Sequence, residues 1–217
     1  MRLWATILAF HFSMTTPVRQ PLRLGLTGGM GCGKSTAAGM FRELGFSVVE
    51  SDVIVRELWE NDAKVKAAAL DRWGNRVAAA EANRIDRRKV AEIVFADPQE
   101  LDWLEGLLHP IVRKRWQALV SANPRQDWVV EIPLLFEKNL ASEFNFTLCM
   151  ASSPLLQAAR LAARGLTPLE VTARQSRQWP LSQKIERADW VVLNDGSLDF
   201  LRREIVHFAT QLINLPS

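Results

Sequence analysis

The chain has 217 residues, of which 48% are hydrophobic, and its formal net charge is +3 at pH 7. This length and composition exclude wholesale disorder and favour one α/β domain with room for an inserted subdomain. A net charge this mildly basic is compatible with binding anionic small molecules as well as nucleic acid. Two cysteines are too few for a disulfide framework and are typical of a protein in a reducing compartment.

The N-terminal segment is the first feature of the chain. Residues 1–13, "MRLWATILAFHFS", carry one arginine and then an apolar run, but they lack a small-residue cleavage site and are too short to span a bilayer. Met14 opens a second plausible start. We predict that residues 1–20 are an extension, in which residues 1–13 are either a mis-called start or disordered, and a membrane anchor is the less favoured alternative. The protein is expected to be cytoplasmic, without a membrane partner.

A phosphate-binding loop follows. The apolar run Leu22–Thr27 predicts a buried strand and Lys34–Leu44 predicts a helix, and the sequence between them, "GGMGCGKS", matches G-x-x-x-x-G-K-[ST]. In such a loop, backbone N–H groups and the helix N-terminus surround phosphate oxygens. The motif therefore predicts a nucleotide site made by Gly28, Gly29, Gly31, Cys32, Gly33, Lys34, Ser35 and Thr36.

Three side chains of this loop have distinct expected roles. Lys34 is expected to reach the β- and γ-phosphates, Ser35 to ligate Mg²⁺, and Thr36 to donate to the α-phosphate. Cys32 is either an inert filler or a reactive thiolate. Its position beside a lysine and a helix N-terminus predicts a lowered pKa and faster alkylation than Cys149, which falls in a predicted buried strand.

Asp52 follows the second predicted strand, Phe46–Glu50. The carboxyl ends of parallel strands face the ligand crevice, so this carboxylate is placed to accept the proton of an acceptor hydroxyl. Aspartate is also a favoured N-cap, here for the helix "VIVRELW". Spacing alone leaves both interpretations open.

The remaining elements indicate the fold class. Residues from about 61 to 124 have helical periodicity, and "DPQE" at 97–100 predicts an N-cap, a first-turn proline and a capping-box glutamate. Strands are predicted at Asp127–Pro133, Phe144–Ala151 and Asp189–Asp195, and a last helix at Ser197–Asn214. Alternating strands and helices predict a mostly parallel sheet with helices on both faces, in a single domain over 21–217.

The chain resembles the dephospho-CoA kinase family. The resemblance begins with "LGLTGGMGCGKSTAAGMFRELGFSVVESDVIVREL" and continues through "FADP", "LLHP", "IPLLFE" and "RADWVVLNDG", so it covers nearly everything from Leu22 onwards. It implies a P-loop NTPase fold like that of nucleotide kinases, a helical acceptor-binding insertion at about 61–125 and a lid at about 153–188. It also implies Mg²⁺-dependent transfer of the ATP γ-phosphate to the ribose 3′-hydroxyl of dephospho-CoA.

Three acidic residues, Glu50, Asp52 and Glu131, are interpreted through this resemblance. The family usually has D-x-D after the second strand, whereas this chain has Glu50-Ser51-Asp52, so the acid proposed as catalytic is retained and the first acid is longer by one methylene. Glu131 resembles the family's aspartate at the end of the third strand and is expected to act through Mg²⁺-bound waters, unless it is a solvated strand terminus. Glu137 is expected to be structural.

Arginines of the predicted lid form the last group. Arg160 and Arg164 are four residues apart and would share a helix face, and Thr167–Glu170 predicts a capping box for the next helix. The pair is either a solvated basic face or a lid that neutralises transferring phosphate. The resemblance favours the lid, with Arg160 catalytic, Arg164 binding nucleotide, and Arg177 a weaker candidate.

The insertion offers further candidates, each with a plainer alternative. His109 is expected to position the insertion rather than to catalyse. The basic runs at 86–89 and 113–115 either meet the phosphates of CoA or form solvated faces, and Trp103 and Trp116 either stack on the acceptor or pack in the core.

Two other function classes fit the sequence less well. Another small-metabolite or nucleoside kinase, such as a shikimate-type enzyme, would lack "FADP" and "LLHP". A P-loop switch or nucleic-acid module would need a basic stripe with aromatics or an N-K-x-D motif, and neither is present in the sequence. The oligomeric state stays open.

Overall fold

The computed structural model describes residues 21–79 and 84–213, so the predicted extension at 1–20 lies outside the described residues. Five parallel strands form one sheet in the order β2-β3-β1-β4-β5. Their bounds are β1 Arg23–Gly28, β2 Ser47–Glu50, β3 Trp128–Glu131, β4 Phe146–Ala151 and β5 Trp190–Leu193. Each predicted strand is confirmed, with bounds one to three residues shorter or shifted at an end.

Nine α-helices connect and cover these strands within the described residues. They are α1 Lys34–Glu43, α2 Ser51–Asn61, α3 Ala63–Trp73, α4 Arg87–Ala96, α5 Pro98–Ala122, α6 Pro154–Ala163, α7 Pro168–Gln175, α8 Leu181–Arg187 and α9 Leu198–Ile213. Helices α3 to α5 fall in the range predicted for the insertion, and α6 to α8 in that predicted for the lid. No described helix is long and apolar enough to cross a membrane.

Successive residues of a strand point to opposite faces of the sheet, and here both faces carry a core. Val129 packs with α1 and α9 in one cluster, whereas Trp128 and Val130 belong to the other, which includes α2, α3 and α5. The predicted sheet with helices on both faces is therefore confirmed. Because every strand is parallel, all five carboxyl ends meet at one edge, and the candidate site lies there.

Helix caps test the local predictions. Thr167 and Glu170 form the predicted capping box of α7, and Asp97 caps α5 by accepting from the backbone N–H of Gln99. The predicted capping-box role of Glu100 is wrong. Its carboxylate accepts from Arg72 at 2.9 Å and from the indole of Trp73 at 2.8 Å, because these neighbours offer charged and buried donors that the helix end does not.

Candidate active site

The phosphate loop joins β1 to α1 with the backbone that the glycines allow. Gly31 has φ 74° and Gly33 has φ 87°, in the left-handed region where side chains are strained. A Cβ on Gly33 would also lie 2.2 Å from the Asn194 amide nitrogen. Lys34 folds back over the loop, and its Nζ donates to the carbonyls of Gly28 and Gly29 at 3.2 and 2.9 Å. Ser35 and Thr36 are exposed at the start of α1.

Glu131 is the buried carboxylate of the site. It ends β3 and is 5% exposed, and the nearby Ser35 hydroxyl favours its ionised form. Burial raises the pKa of Glu131 to about 7, opposed mainly by the positive charge of Lys34. The alternative of a solvated strand terminus is therefore wrong, because the end of β3 is covered by the phosphate loop and the neighbouring strands.

Asp52 lies in the first turn of α2, not before it. The helix begins at Ser51, and its N-cap is Glu50, whose side chain makes no capping hydrogen bond. The N-cap interpretation of Asp52 is therefore wrong. The carboxylate lines the cleft above the loop, and its charge acts on both Lys34 and Glu131. This position suits contact with an acceptor.

Glu50, which replaces the first acid of the family pattern, lies at the edge of this cluster. Its Cα is the register partner of Glu131 across the β2–β3 ladder, and its carboxylate pairs with Arg42 at 3.0 Å. The negative charge of Glu50 contributes to raising the pKa of Glu131, after burial and Asp52. Glu50 thus acts on the site through its field.

The structure contradicts the prediction of a reactive thiolate at Cys32. The side chain is fully buried beneath the loop, and this burial raises the pKa of the thiol although the charge of Lys34 opposes the shift. The predicted lowered pKa is therefore wrong, because desolvation outweighs the nearby cation. Cys149 lies in β4 as predicted, and burial raises its pKa to about 12.

Arg160 and Arg164 do not act as one pair in this structure. Arg160 donates to the Gly31 carbonyl at 3.1 Å, to the Ser152 hydroxyl at 2.9 Å and to the Asn194 carbonyl at 2.8 Å. It therefore braces the base of the phosphate loop. Arg164 follows the end of α6 and lines the cleft. The two side chains diverge because α6 ends between them.

Helix α7 meets the helices of the insertion. Arg177 donates to the Asp102 carboxylate at 2.7 Å and to the Pro98 carbonyl at 3.2 Å. The guanidinium of Arg174 lies 5.3 Å from the ring centre of Phe95. Arg177, the weaker phosphate candidate, is thus engaged with the insertion instead.

A cleft of about 2020 Å³ opens between the phosphate loop, α2, the insertion and α6 to α7. It exceeds the roughly 300–1,000 Å³ of an ordinary small-molecule site, so it has room for two nucleotide-sized ligands. Basic side chains along its wall are Arg87, Arg88, Arg113, Lys114, Lys138, Arg164, Arg174 and Arg177. Such a wall suits a ligand with several phosphates.

The remaining insertion candidates divide between wall and core. His109 lines the cleft with its Nδ1 3.9 Å from Glu105, and burial lowers its pKa. Trp116 is buried and stacks on Phe144 with ring centres 5.5 Å apart. Trp103 packs edge-on against Trp73 at 4.9 Å. Trp103 therefore packs within the protein, which was its plainer interpretation, whereas Trp116 is packed and also lines the cleft.

Sequence reasoning missed two residues next to the loop. Asn194 is buried after β5, and its amide donates to the Cys32 carbonyl at 3.1 Å. Its place at a strand's carboxyl end was a usable signal. Lys184 is fully buried on α8 and pairs with Glu137 at 2.8 Å, for which the sequence held no local sign.

Known proteins resemble the chain over most of its length. A family model described as dephospho-CoA kinase matches residues 22–199. The dephospho-CoA kinase of Synechococcus sp. (strain CC9902) is 39% identical over 84% of this chain and 93% of its own. A Thermus thermophilus crystal structure is 34% identical, with a TM-score of 0.74 over 91% of this chain and all of its own. The dephospho-CoA kinase from Campylobacter jejuni is 26% identical, with a TM-score of 0.63 over 88% of this chain and 96% of its own.

Proposed function

The chain belongs to the dephospho-CoA kinase family and is a kinase of dephospho-CoA, and on this premise we propose how its residues carry the reaction. The γ-phosphoryl group of ATP passes to the ribose 3′-hydroxyl of dephospho-CoA, giving CoA and ADP in the last step of CoA synthesis. One observation carries the assignment of roles: Lys34, Ser35, Asp52 and Glu131 meet at the carboxyl ends of β1 to β3, on the floor of a cleft large enough for both substrates.

Asp52 is the base in this proposal. The acceptor oxygen attacks the γ-phosphorus while the bond to the β-phosphate oxygen breaks, and Asp52 takes the proton of the hydroxyl. Lys34 stabilises the charge that builds on the phosphoryl and leaving oxygens. Its Nζ lies at the loop, where it donates to the carbonyls of Gly28 and Gly29, and phosphate oxygens would be stronger, charged acceptors for the same ammonium group.

The residues present fit a magnesium ion that arrives with the nucleotide. Hard oxygen ligands are available in the Ser35 hydroxyl and the Glu131 carboxylate, which both line the cleft. Within residues 21–79 and 84–213, no three acidic, histidine or cysteine side chains converge as a metal site of their own. We therefore propose Ser35 and Glu131 as its contacts, Glu131 through bound water, and the ion supplies charge neutralisation at the phosphates when bound.

The loop, the lid and the insertion each have a different role in binding the substrates. Arg160 holds the loop backbone from below, and Arg164 faces the cleft, where it neutralises nucleotide phosphate. The helices of 61–125 hold the acceptor, and the predicted lid of 153–188 closes over the reactants through α7, which Arg177 joins to the insertion through Asp102. We further propose a cytoplasmic enzyme that works without nucleic acid or membrane, in keeping with its two free cysteines.

A coupled ADP-release assay tests this function. We expect turnover with Mg·ATP and dephospho-CoA and none above background with adenosine or shikimate as acceptor. Product analysis by mass spectrometry and ³¹P NMR would locate the new phosphate on the ribose 3′ oxygen. Equal turnover with adenosine would reject the assigned acceptor. Unchanged activity in excess EDTA would reject the magnesium proposal.

A further inference from the structure

Lys184 and Glu137 form a buried ion pair that the proposed reaction does not use. Lys184 is 0% exposed, the Glu137 side chain is 7% exposed, and the two are joined at 2.8 Å. Removing two charges from water is costly, and an apolar pair of similar volume is often at least as stable. Stabilisation of the fold is therefore a weak explanation for the presence of this buried ion pair.

The ammonium group of Lys184 is directed at the backbone beside the active site. From α8 it donates to the Pro133 carbonyl at 2.6 Å, and the Thr27 hydroxyl donates to the same carbonyl at 3.3 Å. Pro133 is two residues after Glu131, and Thr27 comes directly before the phosphate loop. One carbonyl thus joins the turn after Glu131 to the strand that enters the loop.

Glu137 holds this arrangement from the other side. The oxygen that accepts from Lys184 also accepts from the backbone N–H of Trp179 at 2.7 Å, in the connection between α7 and α8. The second carboxylate oxygen is buried without a hydrogen-bond partner in the described part of the chain. An oxygen left unsatisfied in the interior is a cost to folding, so the group is not optimised for stability alone.

The position of Lys184 also connects it to the phosphate loop electrostatically. Burial is the main cause that lowers the pKa of Lys34, and the positive charge of Lys184 contributes in the same direction. Lys184 therefore lies close enough to act on the loop both through its field and through the backbone it holds.

We propose that Lys184 is a positioning residue for phosphoryl transfer, which holds the Pro133 carbonyl and thereby fixes the Glu131 carboxylate against Ser35 and Lys34. Glu137 orients Lys184 and ties it to the C-terminal root of the predicted lid. The inference rests on the proposed function, since it requires that Glu131 act in the reaction. Small displacements of positioned groups lower the rate of the chemical step more than they weaken binding.

The double variant Lys184→Met/Glu137→Met tests the proposal, because it removes both charges at nearly constant volume and leaves neither charge unpaired. We expect a folded protein whose kcat is roughly 10–100-fold lower, while KM for ATP and for dephospho-CoA stays within about threefold. Leu212→Ala, at a buried position on α9, is the control for lost stability, and its kcat should be unchanged well below its melting temperature.

The outcomes separate this inference from the proposed function. Absence of turnover by the wild-type enzyme with dephospho-CoA would reject the function itself. An active wild type with a folded double variant of normal kcat would show that the pair is only structural. If the double variant does not fold, Thr27→Val decides, since it removes the second donor to the Pro133 carbonyl without touching a charge. We expect kcat to fall at least about twofold, and an unchanged kcat would overturn the inference.

Discussion

Glu131 and Glu50 are register partners at the carboxyl ends of β3 and β2, so two acidic side chains leave the sheet at the same level. Only Glu131 is buried there, at 5% exposure, and burial is the main reason that its pKa rises to about 7. The negative charge of Glu50 is partly balanced by the Arg42 guanidinium, 3.0 Å from its carboxylate. The cleft therefore contains a carboxylate whose pKa is raised to about 7.

This arrangement predicts how stability depends on pH. The folded state binds a proton on Glu131 more tightly than the unfolded chain does. The contribution of this group to the free energy of unfolding is therefore fully present below pH 4.5 and declines as the pH rises to about 7. The ionised group then costs about 3 kcal/mol at most. In EDTA-containing buffer, Glu131→Gln should therefore raise Tm at pH 8 and leave it nearly unchanged at pH 4.5. Equal effects at the two pH values would contradict the assignment.

Lys34→Ala should lose both transition-state stabilisation and nucleotide affinity. We expect kcat/KM for ATP to fall by about 10²–10³-fold, since one preorganised donor to developing charge is removed. The fold should persist, because the hydrogen bonds that Nζ makes within the described part of the chain go to loop carbonyls. Steady-state kinetics with circular dichroism checks this, using Lys64→Ala, at an exposed position of α3, as the matched control. Kinetics equal to that control would remove Lys34 from the site.

Asp52→Asn should separate chemistry from folding. The side chain is not the cap of α2, so we expect little change in Tm. Loss of the base should lower kcat by roughly 10²–10⁴-fold, with both substrates bound near normally. Isothermal titration for binding and ADP release for turnover give the two quantities. A large fall in Tm with intact specific activity would favour a structural role.

Arg160→Lys keeps the charge but loses the planar fork that reaches Gly31, Ser152 and Asn194 together. We expect kcat to fall about tenfold, equivalent to ~1.4 kcal/mol, with little change in dephospho-CoA affinity when ATP is absent. Arg164→Lys is the comparison, since Arg164 faces the cleft. It should chiefly raise KM for ATP. Identical kinetic profiles for the two variants would argue against separate roles.

Cys32 should resist alkylation in the native enzyme. Its thiol is buried and its pKa is raised by that burial, so little thiolate is present at pH 8. We expect iodoacetamide to label Cys32 and Cys149 slowly and to similar extents, with fast labelling of both in guanidinium. Peptide mass spectrometry gives the rates. Rapid native labelling of Cys32 that Mg·ATP suppresses would restore the reactive-thiolate hypothesis.

The local order of the chain was determined by its sequence. The glycine spacing around Lys34, the apolar runs of the strands and the caps at Asp97 and Thr167 are set by neighbouring residues, so periodicity and spacing predict them. Alternation of strands with helices predicted the parallel sheet, and parallel strands bring Ser35, Asp52 and Glu131 to one edge.

Only the tertiary structure decided what surrounds each of these side chains. Whether Cys32 is a thiolate depends on desolvation by segments far along the chain, and the direction of Arg160 depends on acceptors at Gly31 and Asn194. The Lys184–Glu137 pair joins residues 47 positions apart, which no local pattern encodes. Burial and long-range hydrogen bonding arise from the whole packed chain, and they set the charge and orientation of groups whose identity the sequence already shows.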